Sequence, residues 1–110
     1  MIEKINLQQK LSLFDAHWTP KIIAALNGQE VKLAKFQGEF VWHHHEHEDE
    51  LFFVVNGRFR MDFRDQQIWL ETGEMIVVPR GVEHRPYAEE EVHVLMFEPA
   101  NTLNTGNVQD

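Results

Sequence analysis

Beyond residue 30 the chain runs in short apolar stretches broken by turn signals, and several alternate with a period of two. The stretch RFRMDFR, residues 58–64, sets Phe59, Met61 and Phe63 against Arg58, Arg60, Asp62 and Arg64. That is the pattern of a strand with one face in the core and a solvated, arginine-rich face. LFFVV, residues 51–55, is continuously apolar, and Asn56-Gly57 follows it directly. Asn-Gly accepts the positive φ of a type I′ turn, so a hairpin is predicted there. QQIWLE (66–71), MIVVP (75–79) and VHVLMFE (92–98) read as further strands, with turns near Asp65, at Thr72-Gly73-Glu74 and at Pro79-Arg80-Gly81. In EVKLAKF (30–36) lysines fall on both faces, so the facing is only partly defined.

Strands this short, with turns between them, predict an all-β fold, a small antiparallel β-barrel or jelly roll. No long amphipathic helix interrupts them, which excludes a doubly wound α/β sheet. KINLQQKLSLF (4–14) fits either a short helix or a strand, and Pro20 breaks any helix through HWTPKII. The expected organisation is one domain: an irregular or helical N-terminal arm over 1–27, the barrel over 28–100 and a polar C-terminal tail over 101–110. The tip of that tail is read as mobile, and NTGN, residues 104–107, as a frayed end rather than a cover for the barrel mouth.

At 110 residues the chain buries one core, and 43% apolar with 25% charged residues is ordinary for a globular domain. The formal charge of −8 disfavours nucleic acid and anionic membrane surfaces as partners. The absence of cysteine removes disulfides, thiolate zinc sites and a thiol nucleophile, and fits a reducing cytoplasm.

The densest chemistry lies in WHHHEHEDEL, residues 42–51. Three readings compete: a solvated polar turn, a pH switch and a metal site. If residues 40–45 are extended, His43 and His45 face one way and Trp42 and His44 the other. Two imidazoles side by side on one face suit a borderline metal ion. His47 joins them only if the strand continues through Glu46-His47-Glu48-Asp49, which reads better as a turn. Glu50 shares a face with Phe52 and Val54, and it approaches the His pair if its strand is an antiparallel neighbour. His84, just after the rigid Pro79-Arg80-Gly81 turn, is a fourth candidate from a distant part of the chain.

Taken together these segments resemble the cupins. Gly38, His43, His45, Glu50 and Gly57 follow that family's first motif, although the spacer before His43 is one residue short. Gly73, Pro79, Gly81 and His84 follow its second, with Ala88 where an Asn is usual. The motifs span residues 38–88, nearly half the chain. The whole chain is similar to small single-domain bacterial cupins that carry the label mannose-6-phosphate isomerase-like. The resemblance implies a barrel with one divalent transition metal per chain (Fe, Zn, Mn or Ni), held by His43, His45, Glu50 and His84. It implies a small-molecule ligand or substrate, and either an oxygenase or isomerase activity or a non-catalytic binding role. Small cupins usually pair, and the apolar faces of LFFVV and MIVV predict a homodimer, with the N-terminal strand crossing to its partner.

Around this site, Glu46, Glu48, Asp49 and Glu83 are the candidates for acid–base help. His17, His44 and His93 read as surface or half-buried residues. Trp18, Trp42 and Trp69 read as core or interface aromatics. Arg85 and Tyr87 follow His84 directly, and alternation turns both away from the metal.

Overall fold

The computed structural model describes residues 2–108, and the expected mobile tip, Gln109 and Asp110, lies outside them. Among the described residues, seven strands and one short helix make up the fold: α1 (Leu7–Leu11), β1 (Lys21–Leu26), β2 (Gln29–Glu39), β3 (Glu50–Asn56), β4 (Arg58–Phe63), β5 (Gln67–Glu71), β6 (Met75–Val78) and β7 (His84–Pro99). All strand pairings are antiparallel. No helix among the described residues is long and apolar enough to cross a membrane.

β7 organises everything else. It was expected to start at residue 92 but runs back to His84. On one side it pairs with β2 almost end to end, from Gln29↔Pro99 to Glu39↔Tyr87. On the other it pairs first with β4 (Arg60↔Tyr87 to Phe63↔His84) and then with β3 (Asn56↔His93 to Leu51↔Phe97). The long strand therefore carries both halves of the barrel.

This topology corrects the hairpin expected at Asn56-Gly57. β3 and β4 do not pair with each other, and Asn56 does not have positive φ. Gly57 (φ +105°) is instead a bend between two strands that run on in the same direction along β7. A Cβ there would lie 3.2 Å from Val92 Cγ2 and 3.3 Å from its Cα, so glycine is needed for close approach of two backbones. The type I′ signature belongs to the other Asn-Gly pair. Asn27 (φ +50°) and Gly28 (φ +76°) join β1 to β2, with Leu26↔Gln29 closing the hairpin. The alternation of β1 is broken by a register shift between Ile22 and Ala24, which is why KIIAAL does not read as a strand from its pattern.

The core is built from the inward positions of the strands: Ala34 and Phe36, Phe52 and Val54, Phe59 and Met61, Leu70, Val78, and Val92, Val94 and Met96. In β2 the structure settles the undefined facing: Lys32, Ala34 and Phe36 face inward. Lys35 lies outside and donates to the Phe14 carbonyl at 2.7 Å, under the N-terminal arm.

One face departs from its expected character. Asp62 is not solvated but 1% exposed. Arg60 and Arg85 clamp its carboxylate, with Arg85 Nη2 at 3.0 Å, and their guanidinia hold it below its usual pKa although burial pushes the other way. Arg58 stacks on Trp69 at 4.0 Å, Arg60 on Tyr87 at 4.6 Å, and Arg64 on Trp42 at 3.9 Å. The arginine face is thus a lattice of cation–π stacks and ion pairs, closed around Asp62 and exposed at Arg58 and Arg64.

Gly57→Ala should lower stability by about 1–3 kcal/mol, since it forces a Cβ into both a positive φ and the Val92 backbone. Urea denaturation of the two proteins measures the difference.

Candidate metal centre

Residues 40–45 leave β2 as an extended segment rather than a strand, tied to the start of β7 by reciprocal backbone bonds. His43 N donates to the His84 carbonyl (3.1 Å), and His84 N donates to the His43 carbonyl (2.9 Å). Alternation survives without the strand: His43 and His45 are each 4% exposed, while Trp42 and His44 lie partly exposed on the other side. The Pro79-Arg80-Gly81 turn is fastened to the same segment. Gly81 N donates to the His45 carbonyl at 2.7 Å, and Arg80 N donates to Asp49 Oδ1 at 2.8 Å. The two sequence segments that carry the histidines are therefore held by main-chain bonds before any side chain is considered.

His43, His45, Glu50 and His84 come together as expected, all buried, each with a ligand atom within 4.8 Å of the others. The route for Glu50 differs from the expected one. β2 and β3 are not neighbours, because β7 lies between them. Glu50 instead faces inward at the start of β3 and meets the histidines across the barrel interior.

The donor atoms fit a metal ion. His43 Nδ1 lies 2.9 Å from the Val41 carbonyl, and His84 Nδ1 lies 2.9 Å from the Val82 carbonyl. A carbonyl only accepts, so each ring carries its proton on Nδ1 and presents the Nε2 lone pair inward. This is the outer support that orients metal-binding imidazoles. His45 Nε2, His84 Nε2 and Glu50 Oε1 are buried without a hydrogen-bond partner. Yet His45 Nε2 and His84 Nε2 stand 2.9 and 3.4 Å from Glu50 Oε1. Atoms that crowd one point without hydrogen-bond geometry are arranged as ligands of a shared ion. A buried polar turn would have satisfied these atoms within the protein.

The electrostatics agree. Burial pulls His43 down to about 4, the neighbouring His84 and His45 acting in the same sense against the Val41 carbonyl, so the ring stays neutral and able to bind a cation. Burial raises the Glu50 carboxyl, but in the metal-free protein the inward nitrogens of His45 and His84, when they carry protons, and Glu98 outweigh that and hold it far below the ordinary carboxylate range.

Two functional-looking residues have no signal in the sequence pattern. Glu98 is 2% exposed and faces inward one step beyond the Leu51↔Phe97 pair, directly across from Glu50. Lys32, on the inner face of β2, reaches it at 2.7 Å. Burial, and then the Glu50 carboxylate, push Glu98 up to about 9, against the pull of Lys32. A lysine in an apolar strand paired with a glutamate 66 residues away is visible only once the register is known.

Of the acid–base candidates, Asp49 is paired with Arg80 and Glu83 with Arg64, both at the surface. Glu46 is exposed beside His44, and Glu48 approaches His45 Nδ1 at 3.8 Å. His47 is exposed, His17 and His93 bind Glu91, and Arg85 and Tyr87 face outward to Asp62 and Arg60. NTGN is not frayed. Asn107 exchanges two bonds with the His44 backbone (2.8 and 3.0 Å), and Gly106 packs so tightly against His43 and His44 that a Cβ would collide with the His44 carbonyl. Asn104 Nδ2 donates to the Trp18 carbonyl at 2.7 Å, so this segment braces both the candidate metal centre and the N-terminal arm.

In metal-free protein, His43 should make stability fall at acid pH. The unfolded imidazole takes a proton near 6.5 and the folded one only near 4. The contribution is full above 6.5 and is lost as the pH falls to 4, by up to about 3 kcal/mol. Thermal melts of chelator-treated protein between pH 7.5 and 4 should show the loss, and His43→Gln should flatten it.

Comparison with known proteins places this geometry in context. A model of the cupin domain matches residues 26–98. A cupin-2 domain protein of Shewanella frigidimarina is 50% identical, with a TM-score of 0.85 over 86% of this chain and 93% of that one. The uncharacterised protein YdbB of Bacillus subtilis is 41% identical over 64 residues, 57% of either chain. An acireductone dioxygenase of Phaeosphaeria nodorum is 36% identical over 81 residues, which cover 63% of this chain and 46% of that protein. The chain thus spans about half the length of these two curated relatives. With the barrel, the paired motifs and the match over most of its length, the chain belongs to the cupin domain family.

Proposed function

We propose that the chain is a metal-dependent enzyme of oxygenase or isomerase type, acting on a small oxygenated molecule, with His43, His45, Glu50 and His84 as the ligands of one divalent transition-metal ion. The observation that carries this reading is the set of buried donor atoms left without hydrogen-bond partners around a common point. The likeness to an acireductone dioxygenase supports the oxygenase branch. When bound, such an ion acts as a Lewis acid on a coordinated oxygen and keeps open positions for exchangeable ligands. The chain's own residues do the rest. Val41 and Val82 fix the ring orientations of His43 and His84, Glu50 offsets the cation's charge, and the apolar walls from Phe36, Phe52 and Met96 keep water out.

Elemental analysis should find one metal ion per chain, and His84→Ala should abolish it while leaving the circular dichroism of the strands intact. Turnover by the metal-loaded protein on a panel of diketones, thiols, catechols and sugar phosphates should be lost in the same variant. Metal uptake without turnover on any of them would favour the second reading, a non-catalytic binding or sensing role. The observation behind that reading is the chamber beside His43 and Glu50, whose free volume is only about 10 Å³.

We propose further that two chains pair. The outer face of the β7–β3–β6 sheet presents Leu51, Phe53, Leu95 and Phe97, with Met75 and Val77 55% and 51% exposed. A sheet apolar on both faces needs a second covering layer. Light scattering after size exclusion should give twice the mass of the 13.0 kDa chain, and Val77→Glu should shift it to one chain.

A further inference from the structure

The small chamber reaches the donor set through His43 and Glu50, and its other walls are Phe36, Phe40, Phe52 and Met96, closed over by Trp18 and Asn104. Its free volume of about 10 Å³ is room for about one water molecule. An organic ligand reaches the donors from this side only if a wall moves. Trp18, like Phe40, His43 and Asn104, lies outside the strands, and of these walls it is the one supplied by the N-terminal arm. It sits on the N-terminal arm with φ +58°, a conformation that costs a non-glycine residue energy. Three bonds hold it: its N to the Lys35 carbonyl (2.9 Å), its indole Nε1 to the Gln37 carbonyl (3.0 Å), and its own carbonyl to Asn104 (2.7 Å).

What the indole covers is shaped for a ring. It stacks on Phe36 at 4.5 Å and 14°, and on Phe40 at 4.7 Å and 19°. Phe40 in turn stands edge-on to His43 at 5.4 Å. The aromatic surface therefore leads directly to a metal ligand. No cationic side chain lines the chamber. The inward-facing lysine, Lys32, is held by Glu98 at 2.7 Å and lies near Glu30 at 3.8 Å. A phosphate buried here would lack the charged donors that phosphate recognition uses.

Building on the metal site proposed above, we propose that Trp18 is a displaceable gate that selects the ligand: a flat, conjugated, phosphate-free oxygenated molecule takes the indole's place on Phe36 and Phe40, with its oxygens at the His43–Glu50 end. Trp18 sets specificity through what it gives up. Leaving the stack lowers the population of the binding-competent state and so weakens apparent affinity. The ring that enters regains the stacking, whereas a puckered sugar phosphate does not.

The test uses protein loaded with zinc, which is redox-inert, and two probes, 4-nitrocatechol and mannose 6-phosphate. Zinc content is measured first, with a colorimetric chelator. Zinc absent from the wild type overturns the metal-site reading and this inference with it. With zinc bound in every variant, 4-nitrocatechol should bind the wild type, and mannose 6-phosphate should not displace it. Trp18→Ala should tighten probe binding and Phe40→Leu should weaken it, each several-fold, as expected for removal of a gate and of one stacking partner worth about 1 kcal/mol. Opposite signs at two residues of one stack are not produced by loosening of the fold, which would weaken binding in both. Unchanged or weaker binding in Trp18→Ala, or competition by mannose 6-phosphate, overturns the gate. Should Trp18→Ala not fold, the near-UV circular dichroism of the stacked indole in the wild type decides: loss of that signal at probe saturation supports the gate, and an unchanged signal overturns it.

Discussion

The backbone ladder along β7 is the constraint on which the other features depend. One 16-residue strand bonds to β2 on one side and, in succession, to β4 and β3 on the other. His84, Pro86 and Ala88 line the interior at one end and Val92, Val94, Met96 and Glu98 at the other, on either side of the exposed residues 89–91. A candidate ligand histidine at one end and a buried glutamate near the other thus lie on the inward side of one strand's pleat, interrupted at residues 89–91. Gly57 and the register shifts in β2 and β3 let the partner strands follow its bend. A one-residue slip would turn His84 and Glu98 to solvent together, so register and donor set stand or fall as one.

That pleat places two carboxyl groups, Glu50 and Glu98, opposite each other in the interior. Like charges directly opposed on neighbouring strands repel, and a buried isolated carboxylate is costly. The interior resolves the conflict by unequal treatment. Glu50, between His45 and His84, stays ionised, while Glu98 is driven up to about 9 and anchored by Lys32. The histidines and Lys32 therefore act on one connected electrostatic unit. Outside the barrel the same logic works with different partners: buried Asp62 is kept ionised by two arginines that also stack on Trp42 and Tyr87.

The candidate metal centre is held in place by segments that carry no regular secondary structure. Residues 40–45, the Pro79-Arg80-Gly81 turn and the C-terminal Asn104–Asn107 stretch are joined by main-chain and asparagine bonds. Loops built this way keep donor atoms rigid without filling the space above them, and the arm bearing Trp18 closes what remains. The closure is aromatic and uncharged, in a chain whose surface is strongly acidic.

The sequence by itself determined the all-β architecture and singled out the four residues that gather inside it. Period-two runs, turn residues and the His43-x-His45 spacing are local properties, whereas the convergence of Glu50 and His84 on that pair depends on how the strands pair. Tertiary structure decided the rest, because it depends on register between distant segments. Asn56-Gly57 and Asn27-Gly28 are the same dipeptide, yet only the second makes the hairpin. The first lies against Val92, and that neighbour is invisible in the chain order. Lys32 and Glu98 look like ordinary strand charges until β2 and β7 align them inside the barrel. Trp18 and Asn104, 86 residues apart, meet beside the candidate metal centre only because the arm and the C-terminal segment return to the same end of the barrel. Local pattern fixes which face a side chain takes, and pairing across the chain fixes what it meets there.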